Sequence, residues 1–432
     1  MSVEDNEHAR LEKNARIKAT GQQTRQRRKT QAAKTYELKI VSTKLSVKQQ
    51  ETLNQMFLQA KWFYNDVISH LENNALNDYD TKVKHVKVRM GAKSHVFEKR
   101  QLDALSSKMK QGLVGRIKDS LTALKTLKAQ GHKVGRLTYT KEVTSIPLNQ
   151  YGNTHAIVDD RKIRIVKLGK VRVRGLHQIP HDAEISVANL IRKADGYYVH
   201  VTVYVPLTID LSWEDREDIG LDFNIGDTLV ASDGRKFKVR FETPSRLRGL
   251  QKKLSRQKKG SHNYVKTRQA MRREYQKISN KKNDTSNKIV RELLDSSGLI
   301  YMQDEMIRNW QSGLFGKQVH VSILGRLKKK LVAHPRVCVI DRSCATTQLC
   351  PVCGVLNKHS LSQRTYHCSC GYEQDRDIHS AKNMLIFAEN ENNIIKDFGV
   401  GRASTPVEQT SSALESSSVS CCEETGNSYL QR

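Results

Sequence analysis

Residues 344–384 read CATTQLCPVCGVLNKHSLSQRTYHCSCGYEQDRDIHSAKNM. Two close cysteine pairs, Cys350 with Cys353 and Cys368 with Cys370, are separated by fourteen residues. Four soft ligands carried on two tight knuckles make the donor set of a structural zinc ribbon. Gly354 and Gly371 each follow the second cysteine of a pair, where a knuckle favours glycine. The second pair encloses one residue rather than two, which leaves His367 as a substitute ligand. A site closed by four protein ligands is structural, so no catalytic role is expected of it. Cys338 and Cys344 read as ordinary thiols. Directly after the ribbon, Asp375-Arg376-Asp377-Ile378-His379-Ser380-Ala381 opens a helix.

Upstream, three short apolar runs read as strands: IGLDF (219–223), GLIYMQDEM (298–306) and VCVID (337–341). The first two supply candidate acids. Asp222 sits inside an apolar strand, where an unpaired carboxylate is costly. Glu305 closes the second run, and Asp377 opens the helix after the ribbon. Each acid alone is compatible with a turn residue. Brought together, the three would bind two hard cations such as Mg2+, about 3.5–4 Å apart, for phosphodiester hydrolysis. Between the first two strands, residues 246–291 hold sixteen Lys/Arg against two acids, Glu274 and Asp284. The apolar stripe Leu247, Leu250, Leu254, Met271, Tyr275 and Ile278 makes this stretch two antiparallel helices turning near KKGSHN. GRLKKKLVAHP (325–335) is a further helix.

The first half changes period. TYELKIVST (35–43) alternates as a strand. Val47 to Leu71 repeats apolar residues at helical spacing, through Leu53, Met56, Phe57, Ala60, Phe63, Tyr64 and Val67. A second helix is expected over 102–131 on the stripe Leu102, Leu105, Met109, Leu113, Ile117, Leu121 and Leu124. Residues 162–175 and 184–207 alternate with period two, with turns at 168–169 and 194–196, and predict a small antiparallel barrel. Residues 1–35, with nine Lys/Arg and four acids, read as a disordered or weakly helical arm. Trp62, Phe63 and Tyr64 are either helix core or a base-stacking platform. The Ser-rich end, from about 403, reads as disordered.

Over 432 residues, 74 Lys+Arg against 45 Asp+Glu leave a net charge of +29. At 37% hydrophobic residues the chain can bury cores in roughly two to three domains. No stretch of about 18 apolar residues exists, so a membrane span is excluded, and the first residues lack an apolar signal core. Eight cysteines in this length are not a disulfide scaffold. The surplus calls for a polyanion, and nucleic acid is the expected one. Candidate contacts are Arg27 and Arg28 in the arm and Lys110, Arg116 and Lys118 on the second helix. They continue with Lys170, Arg172 and Arg174 on alternate strand positions, Lys252, Lys253, Arg256, Arg272 and Arg273 in the basic pair, and Arg376 after the ribbon.

The block order IGLDFNIGDTLVASDGRKF, long basic helical pair, LIYMQDEMIRNW, CATTQLCPVCG and CSCGYEQDRDIHSAKNM resembles the transposon-encoded TnpB proteins and the related compact type V CRISPR effectors. LNQMFLQAKWFYNDVI resembles the family's first helix. KLGKVRVRG with ISVANLIRKADGYYVHVTVYV resembles its small barrel. The likeness covers most of residues 36–410. It implies an α+β multidomain chain: a disordered arm (1–35), a β-barrel (36–52 and 132–210) with an inserted helical recognition bundle (53–131), and an RNase H-like, RuvC-type α/β nuclease domain (211–343 and 373–402). A zinc ribbon (344–372) is inserted in the nuclease domain, and a disordered tail (403–432) follows. The implied activity is RNA-guided cleavage of DNA beside a short flanking motif, with base pairing reading the sequence and protein holding the backbones. The implied cofactors are two catalytic Mg2+ ions and one structural Zn2+. The implied partners are a guide RNA and double-stranded DNA, with no membrane, in a monomer or a homodimer of the prokaryotic cytoplasm and nucleoid. By motif position, Asp222 matches the first catalytic acid and Asp377 the third. Where the family reads Glu-Asp-Leu, this chain has Gln303-Asp304-Glu305. Glu305, two residues on and so on the same strand face as 303, is the expected second acid, with Asp304 as the alternative. A guided DNA-binding protein with an inactive nuclease, and a DNA transposase acting without guide RNA, are the competing readings.

Overall fold

The computed structural model describes residues 3–71, 79–89, 95–206, 212–224, 228–313, 316–360, 363–390 and 394–396. The tail expected over 403–432 lies outside them. Two compact units form, each from two chain segments: Met1–Asp210 with Thr243–Lys281, and Leu211–Glu242 with Lys282–Arg432. No described helix is long and apolar enough to cross a membrane.

The first unit opens with α1 (Val3–Arg28) and β1 (Gln31–Ile40). The arm expected to be disordered or weakly helical over 1–35 is therefore a helix that runs almost directly into a strand. Its end is anchored on the sheet. Arg27 pairs with Glu184 at 2.9 Å, and the Arg28 guanidinium lies 4.1 Å from the Tyr204 ring centroid. Low apolar content hides this helix from a periodicity reading.

Next come α2 (Val47–Leu71), the hairpin β2 (His85–Arg89) and β3 (Phe97–Gln101), and α3 (Ser107–Ala129). α2 follows its apolar stripe, with Leu53, Met56, Phe57, Ala60, Phe63 and Val67 all buried. α3 starts later than its stripe because Ser106 caps it, its hydroxyl accepting from the Met109 amide at 3.3 Å. Leu102 and Leu105 are still buried, from the approach to the helix.

The strands β4 (Ser145–Leu148), β5 (His155–Asp159), β6 (Lys162–Ile165), β7 (Gly169–Arg174), β8 (Glu184–Lys193) and β9 (Gly196–Pro206) follow. With β1 they form one curled antiparallel sheet in the order β4-β8-β9-β1-β7-β6-β5. The long strand β1 binds β9 from Gln31 opposite Pro206 to Lys39 opposite Tyr198, and meets β7 at its far end. Both expected turns are present: Lys193 pairs with Gly196 across Ala194-Asp195, and Ile165 pairs with Gly169. Alternation on β7 buries Val171 and Val173 and leaves Lys170, Arg172 and Arg174 outward. The helices α4 (Ser245–Ser255) and α5 (His262–Ser296), joined through KKGSHN, are the basic pair. α4 and the start of α5 belong to this unit.

The second unit holds β10 (Ile219–Phe223), β11 (Thr228–Ala231), β12 (Lys236–Lys238), β13 (Ile300–Gln303), β14 (Val337–Ile340) and β17 (Ile394–Lys396) in the order β12-β11-β10-β13-β14-β17. β10, β13 and β14 run parallel, and the other three are antiparallel to their neighbours. Helices α6 (Ile307–Ser312), α7 (Gly316–Val321) and α8 (Leu324–Val332) lie between β13 and β14 in sequence. The small hairpin β15 (Thr365–His367) and β16 (Glu373–Asp375) leads into α9 (Arg376–Ala388). One sheet face carries Ile219, Leu221, Phe223, Ile300, Met302, Val337 and Val339. It packs on Ile289 and Leu293 of α5 and on Leu324, Leu327 and Leu331 of α8. Period-two alternation turns Gly220 and Asp222 to the other face, against α9. Gly220 is what lets α9 come so close: a Cβ there would stand 1.9 Å from the Ala381 carbonyl oxygen.

Candidate active site and metal centre

Two of the three expected acids meet on the α9 face. Asp222 and Asp377 line one cavity of about 380 Å³, together with Asn224, Lys358, His359, Arg376 and Ser380. Each carboxylate is held by a neighbour. Ser380 donates its hydroxyl to Asp222 Oδ1 at 3.0 Å, and Asn224 donates Nδ2 to Asp377 Oδ2 at 3.0 Å. Arg376 Nη2 is 3.7 Å from Asp377 Oδ1. The Asp222 carboxyl opens on the cavity and is otherwise enclosed by protein. Burial, then the charge of Asp377, push it up to about 7, with Glu305 adding and Ser380 and Arg376 opposing. A buried carboxylate with a second one beside it is suited to a hard cation.

Glu305 does not line this cavity, although its charge acts on Asp222. β13 ends at Gln303, and the Glu305 amide donates back to the Gln303 carbonyl at 2.8 Å. Strand alternation therefore does not carry through to position 305. Its side chain lines a second cavity, of about 670 Å³, with Met306 and Lys328. Burial raises its carboxyl above the usual range, Lys328 opposes this and Asp304 adds to it. Asp304 is tied to Lys328, 2.7 Å from Oδ1 to Nζ. Gln303, at the family's acid position, is buried and neutral. Its amide donates to the Asp341 and Cys344 carbonyls at 3.1 and 2.8 Å.

The four cysteines do come together. The sulfurs of Cys350 and Cys370 are 3.6 Å apart, those of Cys353 and Cys368 are 3.5 Å apart, and all four lie within 4.8 Å of one another. Bonds of about 2.3 Å to a tetrahedral zinc would set the sulfurs about 3.8 Å apart, so the cluster is compatible with structural zinc. Among the described residues no other group of three His, Cys, Asp or Glu meets that distance. Gly354 and Gly371 have φ of 72° and 91° at the two knuckles. His367 instead faces Glu373, 3.5 Å from Nδ1 to the carboxylate. The backbone amide of Cys370 is the main cause holding the Cys368 thiol down to about 6, while the Cys353 and Cys370 thiols beside it are pushed up.

The ribbon is joined to the acid-bearing helix at several points. Tyr366 is fully buried and stacks on His379, with centroids 3.7 Å apart. Asn383 Nδ2 donates to the Thr346 and Leu349 carbonyls, both at 2.7 Å. Asp375 caps α9 by accepting from the Asp377 and Ile378 amides, and it pairs with Lys236 at 2.7 Å. Ser380, Asn224 and the ribbon residues Lys358 and His359 were not singled out from sequence. Ser380 and Asn224 lie inside the two motifs, but no spacing rule marks them.

The basic candidates divide. Lys118, Lys170, Arg172, Arg174, Lys252, Lys253, Arg256, Arg272 and Arg273 are exposed. Lys110 is not a surface cation: it is 3% exposed, and its ammonium donates to the Val83 carbonyl at 2.5 Å. Arg116 is likewise turned inward, donating to the Ser145 carbonyl and hydroxyl at 3.0 and 3.1 Å and to Asn189. Both hold α3 in place.

Residues 208–306 match the OrfB family model described as "Probable transposase", and residues 322–384 match the model "Cas12f1-like, TNB domain". A Streptomyces pristinaespiralis protein named "Putative RNA-guided DNA endonuclease" is 27% identical over 223 residues, which is 49% of this chain and 55% of the relative. The chain thus spans about half the length of that relative. A protein of Paramecium bursaria Chlorella virus 1 named as a "Putative transposase" is 46% identical over 41 residues, 10% of each chain. With the acid-bearing sheet and the four-sulfur ribbon, these matches support a place for the chain in the TnpB family.

Proposed function

We propose that the chain is an RNA-guided DNA endonuclease of the RuvC type, using Asp222, Asp377 and Glu305. The observation that carries this reading is the convergence of Asp222 and Asp377, from opposite ends of the second unit's sequence, on one cavity beside the ribbon. The sheet order supports it: an antiparallel run β12-β11-β10 continues into parallel β13 and β14, as in an RNase H-like fold. The curled sheet of the first unit, with α2 and α3 inserted between β1 and β4, supports the barrel and recognition-bundle reading. The name carried by the Streptomyces relative agrees, and it supports guide RNA and DNA as the partners.

Asp222 and Asp377 would hold Mg2+, with Glu305 contributing from the neighbouring strand end. Bound metal supplies the activated water and the charge that stabilises the leaving oxygen. Ser380 and Asn224 each fix one carboxylate oxygen, so the acids are oriented before any cation arrives. Zn2+ on the four cysteines holds the ribbon and, through Asp375, the start of α9. Exposed cations such as Lys170, Arg172 and Arg174 track nucleic-acid backbones.

The test is to sequence RNA that copurifies with the chain, then assay cleavage of a matching plasmid in Mg2+. A discrete bound RNA is expected, with cutting abolished by Asp222→Ala and Asp377→Ala. Glu305→Ala is expected to stop cutting while Asp304→Ala does not. Absence of a defined RNA, or cutting by Asp222→Ala, refutes the reading. The neutral, hydrogen-bonded Gln303 favours one second reading, a guided DNA binder that does not cut. Guided DNA binding without cleavage by the wild-type chain would establish it.

A further inference from the structure

The first unit carries a cleft that phosphodiester cleavage does not use. It encloses about 550 Å³ between α2, the β2–β3 hairpin and the stretch before β4. Trp62, Phe97 and Tyr139 line it, and Phe97 and Tyr139 are 59% and 60% exposed. Scattered exposed aromatics are ordinary, but three converging on one cleft mark a seat for a flat, partly apolar partner. The Arg100 guanidinium lies 5.8 Å from the Trp62 ring centroid and braces that wall.

The charges point to what the partner is. Lys61 of α2 and Lys87 and Arg89 of β2 line the same cleft. Lys87 stands directly opposite Lys99 on the paired strand. Like charges in that position oppose strand pairing. Among the described residues, neither Lys87, Lys99 nor Lys61 makes an ion pair or side-chain hydrogen bond. A bound anion would relieve this repulsion. Asp66 also lines the cleft, its Oδ2 accepting from the Tyr79 hydroxyl at 2.5 Å. Its carboxylate cannot face a phosphate, but it can accept from a neutral hydroxyl.

We infer that this cleft binds an unpaired RNA nucleotide. The base stacks among Trp62, Phe97 and Tyr139. Its phosphate meets Lys61 and Lys87, and Asp66 accepts from the ribose 2′-hydroxyl, which DNA lacks. The site holds whether or not the chain cuts DNA, and its test involves no cleavage step.

The full chain, stripped of bound nucleic acid, is titrated with an unstructured oligouridine RNA and with the matching deoxy oligonucleotide. The same RNA carrying 4-thiouridine is photocrosslinked and the adduct mapped by mass spectrometry. Adducts are expected on peptides containing Trp62, Phe97 or Tyr139. The Phe97→Ala/Tyr139→Ala pair should weaken RNA binding by about thirtyfold or more, since two stacks are lost. Lys87→Glu separates recognition from folding: it pairs with Lys99, so it should raise the melting temperature while lowering RNA affinity. DNA should bind more weakly than RNA. Adducts elsewhere, or unchanged RNA affinity in the double variant or in Lys87→Glu, overturn the site. Equal affinity for DNA overturns its assignment to RNA. Failure of guided cleavage leaves these readouts unaffected.

Discussion

Replacing Asp222 by Asn should stabilise the metal-free protein at alkaline pH. The Asp222 carboxyl is pushed from an ordinary 3.8 up to about 7, chiefly by burial and then by Asp377. The folded chain therefore holds this proton more tightly than the unfolded chain does. The associated stability is complete below about pH 4 and is lost as pH rises through about 7. At about 1.4 kcal/mol per pH unit the loss is about 4 kcal/mol, and water in the cavity reduces it to about 2 kcal/mol. Asparagine removes the charge and keeps an oxygen to accept from Ser380. In EDTA at pH 8, the Asp222→Asn protein should melt about 4–8 °C above wild type, the shift about 2 kcal/mol makes in a domain of this size. Near pH 4 the two should melt together. Added Mg2+ at pH 8 should close the gap by stabilising wild type alone. Thermal melts across pH 4–8, with EDTA and with Mg2+, measure all three. If Asp222→Asn is no more stable at pH 8, or its advantage persists unchanged at pH 4, the buried-acid account of the site is wrong.

Gly220→Ala should abolish the folded second unit or cost about 3 kcal/mol or more, because the added Cβ meets the backbone of Ala381 at 1.9 Å and no rotamer relieves it. Circular dichroism melts would show it, and an unaltered melting curve would contradict the α9 packing. Asp375→Ala should cost about 1 kcal/mol through the lost cap, with Asp375→Asn recovering most of it. Its half-exposed pair with Lys236 adds little, so Lys236→Ala should be near neutral in the same melts. Metal analysis should find one zinc per chain. Cys353→Ser should release it and lower guided cleavage, through disordering of the α9 start rather than loss of a catalytic group. A zinc-free preparation that cuts normally would sever that link.

The parts of the fold that were legible in sequence are those whose signal is local. The stripe through Leu53, Met56, Phe57 and Ala60 marked α2, and the turns at 168–169 and 194–196 marked the β6–β7 and β8–β9 hairpins. The knuckle glycines and paired cysteines marked the four-sulfur cluster. What escaped depends on partners far away in the chain. Lys110 and Arg116 look like surface cations until Val83, Ser145 and Asn189 are brought beside them. Ser380 gains a role only when β10 lies against α9. The β2–β3 hairpin was not read, because its strands are half charged and carry no strong turn dipeptide. Glu305 lies two residues beyond the end of β13, so strand alternation alone does not fix its face.

Neither compact unit is continuous in sequence, and this sets an order of events during synthesis. The strand bearing Asp222 leaves the ribosome about 160 residues before α9 is complete. At about 5–20 residues per second, that is a delay of about 8–30 s. Through that interval the carboxylate has no Ser380, no Asp377 and no ribbon beside it. Most of the strands and aromatics of the first unit have by then emerged. On the proposed reading, a chain interrupted anywhere before α9 could not cut DNA, and that ability would be among the last properties a growing molecule acquires.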